Sequence, residues 1–360
     1  MTYFLDTNFI LPNEFISDYE EHVPMGFNGV GLITFYRSYS LQKDDGTMES
    51  WRDCCQRVIE QMYAIQKWHC NKYNRFWNEQ KALISAKEAF DRMYNFKWLP
   101  PGRGLATMGT SLVSEVKGVE SLQNCAFVST DTEDLANVFE WAMIQLMLGV
   151  GVGFDTKGEN LNLEIKKPYV NSECTYVIED TREAWAKSIA DLLNCFLTTD
   201  PQYILCEFDY SKIRPKGAMI NTFKRPASGP EPLKLLHKRL IKLCNSYIGK
   251  FVDSAFITDV FNMIAACVVS GSVRRSAQIA LGDVNDIQFL DLKNYDLNSY
   301  RLDWGWNSNN SVILDKYQNS YEYIVDRIYN NGEPGLVWRN NFKYARMNDE
   351  KYDNAMGVNP

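Results

Sequence analysis

A thiol followed by a glycine-rich run is the part of this 360-residue sequence best suited to chemistry. Cys125 falls on a predicted short strand, and residues 132–148 after it have an apolar helical pattern. The helix runs into Gly149-Val-Gly-Val-Gly-Phe154, a flexible backbone that could lie close against a ligand. Taken alone, Cys125 is more simply a small core residue, and the glycine pattern is not the dinucleotide fingerprint, which follows a strand and opens a helix.

A basic segment is the second candidate for function. Residues 211–250 contain ten Lys and Arg against one acid, Glu231, a local charge of +9 in a chain of net charge −7. A basic island in an acidic protein favours an anionic small ligand over bulk nucleic acid. The long loop at 213–230 leads into a predicted helix N-terminus, which suits an anion. The alternative is a solvated helix face formed by Lys234, Lys238, Arg239 and Lys242.

Composition argues against several classes of protein. No apolar run approaches the ~20 residues of a membrane span, and the N-terminus lacks the features of a signal peptide, so we expect a cytoplasmic protein without a membrane partner. Nine cysteines in a chain of this length do not indicate a disulfide scaffold. Because there is no Cys-x-x-Cys pair and only three histidines, we expect no metal site.

The elements that must position these residues change in type along the chain. Helical patterns dominate residues 1–100 and end at Trp98-Leu-Pro-Pro-Gly102, and Ser50 with Asp53 has the spacing of a capping box. From residue 101 onwards, short strand patterns alternate with longer helical ones, which indicates a parallel α/β architecture. The sequence therefore predicts a mainly helical region at 1–100 and an α/β domain at 101–360.

Nine motifs in one order resemble ribonucleotide reductase, and they look most like the adenosylcobalamin-dependent, thioredoxin-coupled class II ribonucleoside-triphosphate reductases. Each motif alone is unspecific, but the ordered set covers nearly the whole chain. They are Ser121-Leu-Gln-Asn-Cys125, Gly149-Val-Gly-Val-Gly-Phe154, Asp180-Thr-Arg-Glu-Ala-Trp185, Ile213-Arg-Pro-Lys-Gly217, Pro226-Ala-Ser-Gly-Pro230, Val269-Ser-Gly-Ser-Val-Arg-Arg-Ser-Ala277, Trp306-Asn-Ser-Asn-Asn-Ser311, Asn331-Gly-Glu-Pro-Gly335 and Gly357-Val-Asn-Pro360.

The resemblance implies the N-terminal half of a ten-stranded α/β barrel with the catalytic thiol on a loop inside it. In this family a cobalamin-derived radical makes a thiyl radical that removes the ribose 3′ hydrogen. Two further cysteines then reduce the 2′ carbon and become a disulfide. Cys125 matches the first of these redox cysteines, and Asn359 matches the asparagine two positions before the radical cysteine. Asn124, Gly151 and Gly153 match positions that line the substrate pocket.

The resemblance also implies an effector site. Residues 222–230 match the loop that relays effector identity to substrate choice, and we assign effector binding to Lys224, Arg225, Ser228 and Gly229. Related chains often carry two glycines where Lys224 and Arg225 stand. The loop is therefore expected to be less flexible than in those chains, and the two added charges could hold a triphosphate. The segment at 157–180 is short compared with monomeric reductases, so the effector site is either reduced or completed by a second subunit. The implied partners are ribonucleoside triphosphates, deoxynucleotide effectors, and thioredoxin or a similar dithiol.

The sequence stops at Pro360, directly before the cysteine of the family motif Asn-Pro-Cys-x-Glu. We interpret this either as an intein junction or split gene, with the C-terminal half as a separate partner, or as a plain truncation. Most of the cobalamin surface would lie in that half, and we expect this chain alone to be inactive and poorly stable. Two other interpretations remain open: a large subunit driven by a separate radical-generating subunit, and a non-catalytic nucleotide-binding paralogue.

Overall fold

The computed structural model describes residues 7–21, 29–43, 45–111, 113, 122–220, 225–270, 277–314, 321–341 and 357–358. The chain divides into two compact units, residues 1–124 and 125–360. The boundary predicted after residue 100 stays a prediction, and residues 101–124 fall in the first unit. Within the described ranges, no helix combines the length and the apolar character that crossing a bilayer requires.

The first unit is helical, as its sequence pattern predicts. Ser50 and Asp53 form the expected capping box, in which each side chain accepts a hydrogen bond from the backbone N–H of the other residue. The two long helices bury Trp51, Phe90 and Met93 in the core of this unit. The helices are α1 (Asn13–Ser17), α2 (Val30–Ser38), α3 (Trp51–Lys72), α4 (Glu79–Tyr94) and α5 (Gly102–Thr107).

The second unit is α/β, with a parallel five-stranded sheet in the order β1-β2-β7-β8-β9. The described strands are β1 (Cys125–Val128), β2 (Gly151–Asp155), β3 (Tyr169–Val177), β4 (Ile204–Asp209), β5 (Met219–Ile220), β6 (Arg225–Pro226), β7 (Gln278–Asp283), β8 (Ser308–Leu314) and β9 (Gly335–Trp338). The helices are α6 (Leu135–Leu148), α7 (Arg182–Leu197), α8 (Glu231–Tyr247), α9 (Ser254–Ser270), α10 (Ile287–Leu290) and α11 (Glu322–Asn331). The predicted parallel α/β architecture is confirmed.

Two nearly all-apolar helices, α6 and α9, cover one face of this sheet. The Phe154 ring of β2 stacks on Phe261 of α9 with centroids 3.7 Å apart, and Phe139 of α6 meets the same Phe261 edge-on. Val152 and Phe154 are fully buried on this side. Because side chains alternate along a strand, Gly151 and Gly153 face the opposite side of the sheet.

The glycine-rich run is the first correction to the sequence analysis. Its residues from Gly151 onwards form the second strand of a parallel sheet, buried along its whole length, and not a flexible turn after a helix. Glycine is unfavourable in strands on propensity alone, but hydrogen bonds to strands on both sides hold this segment extended.

A smaller α/β module lies between β2 and β7 in sequence. Strands β3 and β4 pair in parallel, and α7 connects them, capped by Thr181, whose side chain accepts from the Ala184 N–H. Sequence periodicity did not reveal β3, whose residues are mostly exposed. The loop expected at 213–230 contains a short antiparallel hairpin, β5–β6, before α8 begins.

Candidate functional site

Cys125 is the first residue of β1, half-buried, and stands opposite Gly151 of β2 in the parallel register. Phe127, two residues further on, stands opposite Gly153. Alternation along the strands therefore puts Cys125, Phe127 and both glycines on the face of the sheet that α6 and α9 leave uncovered. The predicted strand position of Cys125 is confirmed.

The C-terminal segment lies on this same face. A Cβ placed on Gly153 would stand 2.2 Å from the carbonyl oxygen of Val358 and 2.9 Å from the Phe127 ring. A Cβ on Gly357 would stand 2.2 Å from that same ring and 2.8 Å from Leu281. Two glycines thus allow the backbone at 357–358 to press against the strands. The residues that lead into Asn359 share a sheet face with Cys125.

Asp155 fixes the opposite ends of β1 and β2. Its buried carboxylate accepts hydrogen bonds from the Ser129 hydroxyl at 2.7 Å, from the Thr130 N–H at 2.8 Å and from the Thr130 hydroxyl at 3.0 Å. The Lys157 N–H adds a longer bond at 3.3 Å. These bonds lock the strand ends together and so hold the register that places Cys125 beside Gly151. Sequence reasoning did not single out Asp155, although an acid directly after an apolar strand is a usable signal.

A group of acids lies beyond this end of β2. Burial and the nearby Asp286, Asp283 and Asp253 raise the pKa of Glu159 to about 7. The Glu159 carboxyl also accepts a backbone hydrogen bond from Ser254. In the described part of the chain, no set of three or more His, Cys, Asp or Glu side chains is arranged to hold a metal ion.

The other predicted site residues are placed as follows. Asn124 is exposed and ends the first unit. Asn359 and Lys224 lie outside the described residues. Arg225 begins β6, and its backbone pairs with Ile220.

Ser228 and Gly229 follow the hairpin directly. Gly229 has a φ of +75°, and a Cβ there would stand 2.9 Å from the Lys216 nitrogen, so this turn requires glycine. The hairpin is closed by bonds from the Gly217 N–H to Ala227 and from the Ala227 N–H to Ala218. The backbone of Arg225 and the residues Ser228 and Gly229 thus lie close together in the chain, just before the N-terminus of α8.

The basic island is less open than its charge count indicates. Within the described part of the island, four cations form ion pairs with acids, three of which lie outside the island. Those pairs are Lys212–Glu179, Arg214–Asp180, Lys234–Glu231 and Arg239–Asp303. The solvated-face interpretation therefore holds for part of α8, and the charge available to a ligand is smaller than +9.

A buried histidine of α8, which packs against α7 and β4, was not predicted from the sequence. His237 lies within hydrogen-bond distance of the Ser188 hydroxyl at 3.0 Å and the Tyr210 hydroxyl at 2.7 Å, and it stacks on Phe208. Burial lowers its pKa to about 3. The ring therefore stays neutral and tightly packed, which is a structural role.

Comparisons with known proteins agree with the motifs. A family described as ribonucleotide reductase alpha domain matches residues 11–110, and one described as B12-dependent ribonucleotide reductase, insertion domain, matches residues 157–241. A crystal structure of a B-12-dependent (class II) ribonucleotide reductase superimposes with a TM-score of 0.76 at 25% identity, covering 91% of this chain and 52% of that one.

Curated relatives point the same way. The chain is 41% identical to a probable adenosylcobalamin-dependent ribonucleoside-triphosphate reductase of Dictyostelium discoideum and 39% identical to the adenosylcobalamin-dependent enzyme of Euglena gracilis. Each alignment covers 98% of this chain and 49% of the relative. A Lactobacillus gasseri reductase is 30% identical over 92% of the chain. The chain thus spans about half the length of these relatives. The predicted resemblance to class II ribonucleotide reductases is confirmed. The segment at 157–180, which the sequence predicts to be short, is the first part of the region that matches the insertion-domain family, residues 157–241.

Proposed function

We propose that this chain is the N-terminal half of an adenosylcobalamin-dependent ribonucleoside-triphosphate reductase, which reduces ribonucleoside triphosphates to deoxyribonucleotides in the cytoplasm. The observation that carries the proposal is the seating of residues 357–358 over Gly153, on the sheet face that holds Cys125. The motif leading to the radical cysteine and the predicted redox cysteine thereby converge on one surface. The relatives support the same assignment, because they are adenosylcobalamin-dependent ribonucleoside-triphosphate reductases and this chain aligns with about half of their length.

In the proposed reaction Cys125 supplies one of two thiols. After a thiyl radical downstream of Asn359 has removed the ribose 3′ hydrogen, the 2′ hydroxyl leaves as water, and two thiols deliver two electrons and two protons and pair as a disulfide. The radical thiol then returns the hydrogen to the 3′ carbon and is again a thiyl radical. Cys125 is only half-buried, so a sulfur there can meet both a ribose and a partner cysteine. Thioredoxin or a similar dithiol then restores the thiols. Asn124 and Gly151 are the proposed substrate-binding residues beside it. Gly153, the third residue predicted for the substrate pocket, is proposed to act indirectly, by seating residues 357–358 on this face.

Adenosylcobalamin supplies the radical that begins the reaction. The glycine-rich strand does not fit as its cradle, because the approach to Gly153 is filled by the Val358 carbonyl and the Phe127 ring. None of the described residues is assigned to the cofactor. The residues that bind the corrin ring of the cofactor are expected in the downstream half of the enzyme. That half is also a proposed partner of this chain.

The test is a cysteine substitution in the enzyme completed by its downstream half. Cys125→Ser is expected to abolish multiple turnover with thioredoxin, because no internal disulfide can form. Cys70→Ser is the matched control, since Cys70 is also a half-buried thiol outside any disulfide and is expected to leave turnover unchanged. Undiminished steady-state turnover by Cys125→Ser would refute the role of Cys125. Absence of reduction by the completed wild-type enzyme would favour a non-catalytic nucleotide-binding protein.

Effector binding is proposed at the start of α8, with Lys224, Arg225, Ser228 and Gly229. Calorimetric titration of the four deoxynucleoside triphosphates should detect binding that Lys224→Ala combined with Arg225→Ala weakens. Lys238→Ala with Lys242→Ala, two exposed lysines on α8, is the control for general loss of charge. Equal weakening by both pairs would indicate attraction by net charge and not a site.

A further inference from the structure

A disulfide joins Cys174 of β3 to Cys206 of β4, with Cα atoms 4.9 Å apart. Neither the cysteine count nor the spacing predicted it, and the proposed reductase reaction does not use it. It lies in the region that matches the insertion domain, far along the chain from Cys125. The bond is a covalent link between the two strands of this pair.

The bond spans a defect in the β3–β4 ladder. The backbone pairing runs through Val170 and Leu205, breaks, and resumes at Thr175 and Glu207. Residues 171–174 of β3 therefore oppose the single residue Cys206 of β4. A bulge of this size removes ladder hydrogen bonds, so the disulfide is the connection across the gap. A two-stranded pair is also only marginally stable by itself.

Both cysteines of the disulfide are partly exposed to solvent. Cys174 and Cys206 are half-buried, and their chain neighbours Glu173, Thr175 and Glu207 are exposed. By alternation along the strands, Cys174 and Cys206 share a face with Tyr176 and Phe208, which pack against the core. Because both cysteines are only half-buried, the bond lies at the edge of this packed region, where a reductant can reach it without unfolding the core.

Most other thiols of the chain are excluded from such chemistry by burial. Burial raises the pKa of Cys195 to about 11 and that of Cys54 and Cys267 to about 12, and it raises the pKa of Cys55 and Cys244 further. Thiolate is the reactive species, so these five are inert at neutral pH. The accessible sulfurs that remain are Cys70, Cys125 and the bonded pair.

We propose that Cys174 and Cys206 form a thiol–disulfide exchange site for a dithiol reductant, separate from the catalytic cysteines, and that its reduction releases β3 from β4. A thiolate of the reductant attacks one sulfur, the Cys174–Cys206 bond breaks, and a mixed disulfide forms. The second thiol of the reductant then resolves it. Two electrons and two protons pass from the dithiol to the pair, and the reductant leaves oxidised. This inference does not depend on the proposed reductase activity.

Native alkylation tests the exchange step. Without reductant, peptides with Cys174 and Cys206 should be recovered as one cross-linked, unlabelled species. With dithiothreitol in native buffer, both should take iodoacetamide while the five buried cysteines stay unlabelled. A thioredoxin whose second active-site cysteine is serine should be trapped on the chain, and the double variant Cys174→Ser, Cys206→Ser should abolish the trapping. Labelling of the pair without reductant, or a bond that resists dithiothreitol until denaturant is added, would overturn the proposal.

Hydrogen exchange tests the release of the strands. Reduction of the wild-type chain should raise amide exchange at 169–177 and 204–209 at least tenfold and leave α9 unchanged, and the double serine variant should resemble the reduced protein. The reduced wild-type protein serves as an independent measurement if the variant folds poorly. Cys70→Ser, which removes a thiol outside the pair, should show wild-type exchange. Equal exchange in oxidised and reduced protein would mean that the bond restrains nothing.

Discussion

Gly153→Ala is the sharpest test of the surface where Cys125 and the C-terminal segment meet. The added Cβ would lie 2.2 Å from the Val358 carbonyl oxygen. A carbon and a carbonyl oxygen in contact lie about 3.3 Å apart, so the segment at 357–358 must retreat by about 1.1 Å. The neighbouring Phe127 and Ile279 contacts, at 2.9 and 3.1 Å, leave little room for β2 to move instead.

A displacement of residues 357–358 by about 1.1 Å should affect the rate of catalysis much more than the free energy of unfolding. Overpacking costs about 1–3 kcal/mol, which a protein unit of this size tolerates. A misplacement of about 1 Å in a catalytic geometry costs about 100-fold in rate. In the completed enzyme, we therefore expect turnover to fall about 100-fold while urea unfolding of the chain changes by no more than about 3 kcal/mol.

The assay needs a matched glycine. Gly305→Ala is suitable, because its nearest contact is the hydroxyl at the end of the Tyr295 side chain, 3.2 Å away. That substitution should leave turnover within about twofold of wild type. Wild-type turnover by Gly153→Ala would refute the argument that this face positions the residues before Asn359.

Two further predictions concern stability. The pKa of His237 is about 6.5 in the unfolded chain and is lowered to about 3 in the folded protein. Between these two values the unfolded state binds more protons than the folded state. The free energy of unfolding therefore decreases as the pH is lowered, by up to about 1.4 kcal/mol per pH unit. His237→Phe should flatten that slope in urea unfolding measured from pH 7 to 5, and His69→Gln, on an exposed helix position, should not. Arg301→Leu should lower the free energy of unfolding by about 3–5 kcal/mol, because it leaves the buried Asp259 carboxylate, 2.9 Å from the Arg301 guanidinium, without its ion-pair partner. Asp259→Asn combined with Arg301→Leu should lower it by less, because no buried charge is then unpaired. Thermal unfolding of the two variants measures the difference.

Periodicity and capping residues predicted the helices well, because local patterns are sufficient there. Ser50 and Asp53 are satisfied by side-chain bonds to nearby backbone, so the signal lies within four residues. Strand β3 was missed for the opposite reason. Its side chains are mostly exposed and its ladder is interrupted, so no apolar alternation marks it.

The sequence predicted those parts of the candidate site that depend on local sequence patterns, but not the contacts between residues distant in the chain. The position of Cys125 on a strand followed from the sequence, but the contact of Gly153 with Val358 joins residues about two hundred positions apart and needs the fold. The Cys174–Cys206 bond likewise depends on the distance between two strands, which spacing does not encode. The charge of the basic island was countable, yet its acidic partners Glu179 and Asp303 lie outside the counted window.

The strand order has a consequence for synthesis of the protein on the ribosome. Strand β2 pairs with β7, and the whole β3-to-α9 region is inserted between them. At roughly 5–20 residues per second, about 120 residues take roughly 6–25 s to translate, so β2 waits that long for its partner. During this interval the emerging chain can already build α7, α8 and the β3–β4 pair as a local unit. The nascent glycine-rich strand meanwhile has one edge paired with β1 and the other unpaired, and an unpaired strand edge is open to pairing with other chains.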